Sequence, residues 1–254
     1  MRPMVSEAQV KAYWETRTCG AEHTASQPMS REYFSEIEEA RYRLAPEVLE
    51  HANFGRWGGQ RVLEIGVGAG TDFVNFARNG AELFGVDLTE AAIDHARRRL
   101  ALEGLSADLR VASGEHLPLA DNSVDLVYSW GVIHHAEHPE AVVREIRRVL
   151  RPDGQVTAMF YGRHSWVAYK RWIWGLGVAL KRRESVKGLS AAIASYMESP
   201  GTQCYTAREL TILFSAAGFQ HVDVTRVLTS HDERHIKPLA RRVPLCWNLV
   251  VTAT

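Results

Sequence analysis

Hydrophobic positions change their period twice along the chain. Residues 6–18 and 31–45 carry them at helical spacing, the second run with Phe34, Ile37 and Leu44 on one side and Pro46 to end it. After Gly55-Arg56-Trp57-Gly58-Gly59, short apolar runs alternate with helical ones. Arg61–Gly66, Leu83–Asp87, Ala107–Ala112, Val124–Ser129 and Gln155–Tyr161 read as strands, and Thr71–Asn79, Glu90–Leu102 and Pro139–Leu150 as helices. The last helix places Val142, Val143, Ile146, Val149 and Leu150 on one face, and Pro139 suits its first turn. Strands separated by single helices pair in parallel through right-handed crossovers, and their unbroken apolar runs suit burial on both faces.

Residues 163–199 interrupt this rhythm with a basic, Trp-rich helical segment. Thr206-Ala207-Arg208-Glu209 then forms a capping-box signature, Leu210, Leu213, Phe214 and Ala217 line one helix face, and Gly218 stops it. Two strands, roughly 219–229 and 245–253, follow without a long helix between them. They predict an antiparallel pair at the edge of the sheet.

The strongest local signal is Val62-Leu63-Glu64-Ile65-Gly66-Val67-Gly68-Ala69-Gly70-Thr71-Asp72, a buried strand that ends in alternate glycines and opens a helix. Glycines serve where backbone must approach a ligand closely or take positive φ, and the helix N-terminus favours anionic or polar groups. Asp87 stands twenty-one residues after Gly66, at the end of the next strand. A carboxylate there can accept from both hydroxyls of a ribose. The spacing is GxGxG, whereas the dinucleotide fingerprint requires GxGxxG and would put its third glycine at Thr71. Glu64 is out of place on a buried strand unless it has a partner.

These residues resemble the class I S-adenosylmethionine-dependent methyltransferases, in particular the ubiquinone/menaquinone-biosynthesis branch and its small-molecule relatives. The resemblance also rests on Gly114–Asp125, on Trp130-Gly131-Val132-Ile133-His134-His135 and on Glu145–Gly154, and it is strong over about residues 60–160. It implies an α/β fold: a Rossmann-like, seven-stranded, mostly parallel sheet with helices on both faces and an antiparallel terminal strand. It further implies an N-terminal helical lid (1–58), a cofactor-binding core (59–162), a helical insert capping the substrate (163–204) and completion of the core (205–254), all within one domain. The cofactor would be S-adenosyl-L-methionine, leaving as S-adenosyl-L-homocysteine. Glu64, Gly66, Gly68 and Gly70 would run beneath its methionine part and ribose. Asp87 would hold the ribose hydroxyls, with Leu88 on the adenine. Ser113, Gly114 and Glu115 would border the adenine edge, and Ser129, Trp130 and Gly131 would lie by the methionine end. Tyr13 and Trp14 of the lid would pack near the cofactor. Relatives often carry Asp where Ser113 stands, so the neutral hydroxyl offers a weaker acceptor there.

Methyl transfer from a sulfonium is an in-line displacement in which alignment supplies much of the rate. A base is needed only where the acceptor must lose a proton. His134 and His135, just past the fourth strand, are the base candidates, with His134 favoured; if the strand continued, they would face opposite ways. The bland alternative is that both pack or cap the next helix. His23, Tyr33, Arg41 and Tyr42 of the lid, Trp166 of the insert and Tyr205 are candidate substrate contacts, each of which can equally be a core residue. Cys19 reads as structural.

Composition narrows the partners. Thirty Lys+Arg balance thirty Asp+Glu, so no net charge points to nucleic acid, and the acceptor is expected to be a small molecule. Three scattered cysteines without CxxC spacing, and no apolar run at the start, fit a cytoplasmic setting with neither disulfide framework nor metal site. The basic, Trp-containing segment 163–188 can touch a membrane surface or roof an acceptor pocket, or it is a lid helix with a solvated face. Nothing in the sequence sets an oligomeric state. Two other functions share the fold: an NAD-dependent oxidoreductase, disfavoured by GxGxG, and a non-catalytic methyltransferase-like binding protein, disfavoured by the intact glycines and Asp87.

Overall fold

A computed structural model describes residues 5–182, 201–229 and 246–254. Three helices come first: α1 (Glu7–Glu15), α2 (Arg31–Leu44) and α3 (Glu47–Ala52). The alternating part follows as β1 (Arg61–Ile65), α4 (Thr71–Arg78), β2 (Glu82–Asp87), α5 (Glu90–Glu103), β3 (Asp108–Val111), β4 (Val124–Trp130), α6 (Pro139–Val149) and β5 (Leu150–Tyr161). The chain continues through α7 (Trp166–Arg182) and α8 (Ala207–Ala216) to β6 (Val222–Val227) and β7 (Asn248–Ala253). Among the described residues the strands form one seven-stranded sheet in the order β3-β2-β1-β4-β5-β7-β6. The first five strands pair in parallel, and β7 runs antiparallel to both β5 and β6. The expected fold class holds. The final strand slots between β5 and β6, which leaves β6 at the edge.

Alternation along the strands feeds two cores. Leu63, Ile65 and Val127 point to the face covered by α6 and α8, among Val142, Ile146, Leu210 and Phe214. Val62, Leu126, Tyr128 and Trp130 point to the other face, among Phe73, Val74, Phe76, Ile93 and Leu100. Glu64 shares the face of Val62, which places a carboxylate on the α4/α5 side of the sheet.

Two boundaries differ from the sequence pattern. The helix before β5 ends at Val149, and the strand begins at Leu150 rather than Gln155. Register then slips from Val124 opposite Leu150 to Leu126 opposite Gln155, so Arg151–Gly154 bulge out of the ladder. Past Trp130 the chain does not continue extended; it tightens into a 3-10 turn at Ile133–His135. That turn sets the directions in which the two histidines face.

Residues 183–200 of the basic segment, including 183–188 of the suggested membrane contact, lie outside the described residues, as do residues 230–245 before β7. Among the described residues no helix is long and apolar enough to cross a membrane.

Candidate functional site

The C-terminal ends of β1, β2, β3 and β4 open on a cavity of about 360 Å³, covered by α1, α2 and the loop between them. This is the edge at which open parallel sheets bind ligands, and the volume falls in the usual range for small-molecule sites.

The glycine loop forms its floor. Gly66 takes φ +83°, and a Cβ there would stand 2.2 Å from Val132 Cγ2, so no larger residue fits. At Gly68, with φ +50°, the nearest neighbour of such a Cβ would be Cys19 at 4.0 Å, and the backbone lies open to the cavity. Gly70 is different: it lies outside the cavity lining, and its bare Cα lets Ala96 of α5 come within 3.0 Å of where a Cβ would be. Its place in the motif serves helix packing.

Asp87 meets this loop. Its Oδ2 accepts from the Gly68 N–H at 3.2 Å, while Oδ1 accepts from the Thr89 N–H at 3.0 Å and the Thr89 hydroxyl at 2.8 Å. Burial raises its carboxyl above the ordinary Asp value against those hydrogen bonds, so the group is held in shape yet under-solvated. Leu88 and Thr89 continue the wall.

Behind the loop stands a cluster of buried polar groups. Asp72, in the first turn of α4, accepts from Arg41 Nη2 at 2.6 Å, from the Tyr128 hydroxyl at 2.9 Å and from the Tyr42 hydroxyl at 3.2 Å. Burial works against the Arg41 charge, but Asp72 outweighs it and the guanidinium stays protonated; it also lies 6.0 Å from the Trp130 ring centroid. Glu64 lines the cavity with 4% of its surface exposed, and its Oε2 has no hydrogen-bond partner among the described residues. Burial, reinforced by Asp72, raises its carboxyl well above the ordinary value. A buried acceptor without a donor is costly, and one facing a cavity suits a ligand that carries a donor or positive charge.

His135 lines the cavity. Its Nδ1 pairs with the Thr202 hydroxyl at 3.2 Å, and its ring meets Trp14 edge-on at 5.6 Å. Burial pushes its pKa down to about 4, so it is neutral near pH 7. His134 turns the other way, fully buried against Tyr161 with ring centroids 4.1 Å apart, and is absent from the lining. The preference for His134 is therefore corrected: the 3-10 turn rotates His135, not His134, into the cavity.

Several other expected contacts also fall outside the lining. Tyr13 packs against Trp14 and carries Arg17 on its ring, and Tyr33 is buried against Phe34 and His95. Tyr42 reaches the site through its hydroxyl, which donates to Asp72 at 3.2 Å and to the Thr71 carbonyl at 3.4 Å. Ser129 donates to the Ile65 carbonyl at 3.1 Å from a fully buried position, and Tyr205 packs on Phe160 and donates to Gln203. The Trp166 side chain lies outside the described residues. Trp14, His23, Arg41, Ser113, Gly114, Glu115, Trp130 and Gly131 do line the cavity. So do Glu7, Asp72 and Glu137, which the sequence pattern did not single out, and Cys19, which it read as structural. A signal existed for Asp72, an acid on the buried side of the helix that the glycine loop opens. Glu7 and Glu137 carried none.

Residues 63–158 match the protein family described as a methyltransferase domain. The ubiquinone biosynthesis O-methyltransferase of Azoarcus sp. is 33% identical over 99 residues, covering 39% of this chain and 42% of that protein. The chain spans 56% of the length of the first curated relatives it matches. Among solved structures, a SAM-dependent methyltransferase from Aquifex aeolicus superposes with a TM-score of 0.54 at 20% identity, over 87% of this chain and 95% of that one. The [4+2]-cyclase SpnF superposes with a TM-score of 0.64 at 18% identity, over 98% and 95%. The fold is thus shared with proteins of more than one named activity, and the side chains in the cavity must carry the functional argument.

Proposed function

We infer a transferase that methylates a small molecule, from residues 63–158 that match the methyltransferase-domain family and from a sheet shared with a SAM-dependent methyltransferase. The observation that carries this reading is the joining of Asp87 to Gly68 inside the cavity, with the unsatisfied Glu64 oxygen behind them. A carboxylate pinned by backbone donors suits two ribose hydroxyls, and a buried, cavity-facing acceptor suits the ammonium of an amino-acid tail. S-adenosylmethionine carries both groups and supplies an activated methyl on sulfur whose departure leaves a neutral thioether.

The chain's own residues then bind and align. Gly66 and Gly68 let backbone approach the ligand, Asp87 and Glu64 fix its two polar ends, and α1 and α2 cover the cavity and exclude water. Arg41, Trp130, Leu44, Ala45 and His23 remain on the lining to meet the acceptor, a set that favours a largely apolar molecule with one polar group. His135, neutral and buried, accepts a hydrogen bond from the acceptor better than it takes a full proton, since burial opposes the imidazolium. Its role in this reading is orientation.

The test is a calorimetric titration with S-adenosylhomocysteine. The wild-type protein is expected to bind at one site, and Asp87→Ala to lose about 2–3 kcal/mol of affinity, the worth of hydrogen bonds to a charged group. Equal affinity in the two proteins would refute the assignment of Asp87. No binding by either would refute the reading as a whole.

A further inference from the structure

Ser113 follows β3, next along the sheet edge from Asp87, and both line the cavity. Its hydroxyl accepts from the Glu115 N–H at 3.1 Å and donates to a carboxylate oxygen of Glu7, 106 residues away in sequence. Glu7 opens α1, and its own N–H donates to Glu137 Oε2 at 2.7 Å. At the other end of the same helix, Glu15 accepts from the Ala91 N–H at 3.0 Å. Helix α1 therefore bridges the cavity from the end of β3 to the start of α5, and it brings a carboxylate to the β3 side. The second carboxylate oxygen of Glu7 takes no hydrogen bond among the described residues.

We propose that Glu7 is the group that recognises the amino edge of the adenine, delivered to the site by α1. The inference rests on the S-adenosylmethionine reading. Strands in a sheet lie about 4.8 Å apart, so a nucleoside whose ribose is held at Asp87 on β2 presents its base to the end of β3. There the strand offers Ser113, whose proton goes to Glu7 and one of whose lone pairs takes the Glu115 N–H, which leaves a neutral hydroxyl as a weaker acceptor than the carboxylate beside it. A carboxylate is acceptor-only, and the 6-amino group of adenine is the donor that complements it. The choice of serine at 113 follows from the same contact. An acidic side chain in its place would stand against Glu7 and repel it, whereas a hydroxyl donates to Glu7 and aims it. Base recognition and closure of α1 then become one event, because the residue that reads the base belongs to the helix that covers it.

The experiment compares S-adenosylhomocysteine with S-inosylhomocysteine, in which an oxo group replaces the 6-amino group and turns the donor into an acceptor. Dissociation constants are measured for wild type, Glu7→Ala and Ser113→Ala, with thermal midpoints taken without ligand to verify folding. Wild type is expected to prefer the adenosyl compound by tenfold or more, about 1.4 kcal/mol. In Glu7→Ala the preference should fall to about twofold even where overall affinity also drops; this collapse of the ratio separates base recognition from mere loss of the lid. Ser113→Ala should retain an intermediate preference. A ratio unchanged in folded Glu7→Ala overturns the proposal while leaving the cofactor reading intact. Failure of wild type to bind either compound overturns both.

Discussion

On the proposed reading, Glu64 trades stability for binding. Its carboxyl is raised well above the ordinary value by burial, so deprotonation costs free energy in the folded protein that it does not cost in the unfolded chain. Above the unfolded value the native state holds the extra proton, and stability falls as pH rises toward the folded value. Glu64→Gln removes that penalty. Without ligand, the variant is expected to exceed wild type by on the order of 1 kcal/mol at pH 8 and by less at pH 5, as read from denaturant midpoints. The same substitution should weaken S-adenosylhomocysteine binding by about tenfold, since the ammonium loses its counter-charge. A variant less stable at both pH values would contradict this account of Glu64. The sequence pointed to Glu64 as an anomaly on a buried strand, and to Asp87 by spacing. The positive φ of Gly70, +72°, fits the glycine pattern, but the motif does not reveal whether a bare Cα faces a ligand or a neighbouring helix; here it faces Ala96.

At the scale of elements, local chemistry was legible and long-range contact was not. The Thr206 hydroxyl accepts from the Glu209 N–H at 3.2 Å while Glu209 accepts from the Thr206 N–H at 2.8 Å, the reciprocal pair that the four-residue signature implies. Arg163 donates to the same Glu209 at 2.8 Å. Thr206→Ala is accordingly expected to cost about 1 kcal/mol in chemical denaturation, and Thr206→Ser to restore most of it. The strands and helices of the alternating part followed from period alone. By contrast, the 3-10 turn at Ile133–His135 gave no sign in the pattern, and it decided which histidine faces the cavity. The placement of α1 depends on Glu7 meeting Ser113 and Glu15 meeting Ala91, contacts between segments that no local rule connects.

For the whole molecule, the two buried histidines set a pH response opposite in sign to that of Glu64. His135 is held down to about 4 by burial, and His134 lies well below its ordinary value through burial and its neighbour. Both bind protons more readily when unfolded, so stability falls as pH drops from about 6.5 toward 4. His135→Gln should flatten that decline by about 1 kcal/mol per pH unit, and an unchanged slope would contradict the burial of a neutral imidazole. The sheet, with a core on each face, supplies the rigid edge on which these charged and neutral groups are arranged. The cover over that edge comes from the N-terminal helices, which reach it through polar contacts such as Arg41 with Asp72 and Glu7 with Ser113.

The most direct test is a crystal structure of the protein soaked or grown with S-adenosylhomocysteine. The ligand is predicted to lie in the cavity over Gly66 and Gly68, with its ribose hydroxyls on Asp87, its ammonium near Glu64 and α1 closed above it. Ligand density elsewhere, or a cavity that stays empty at saturating concentration, would contradict the assignment.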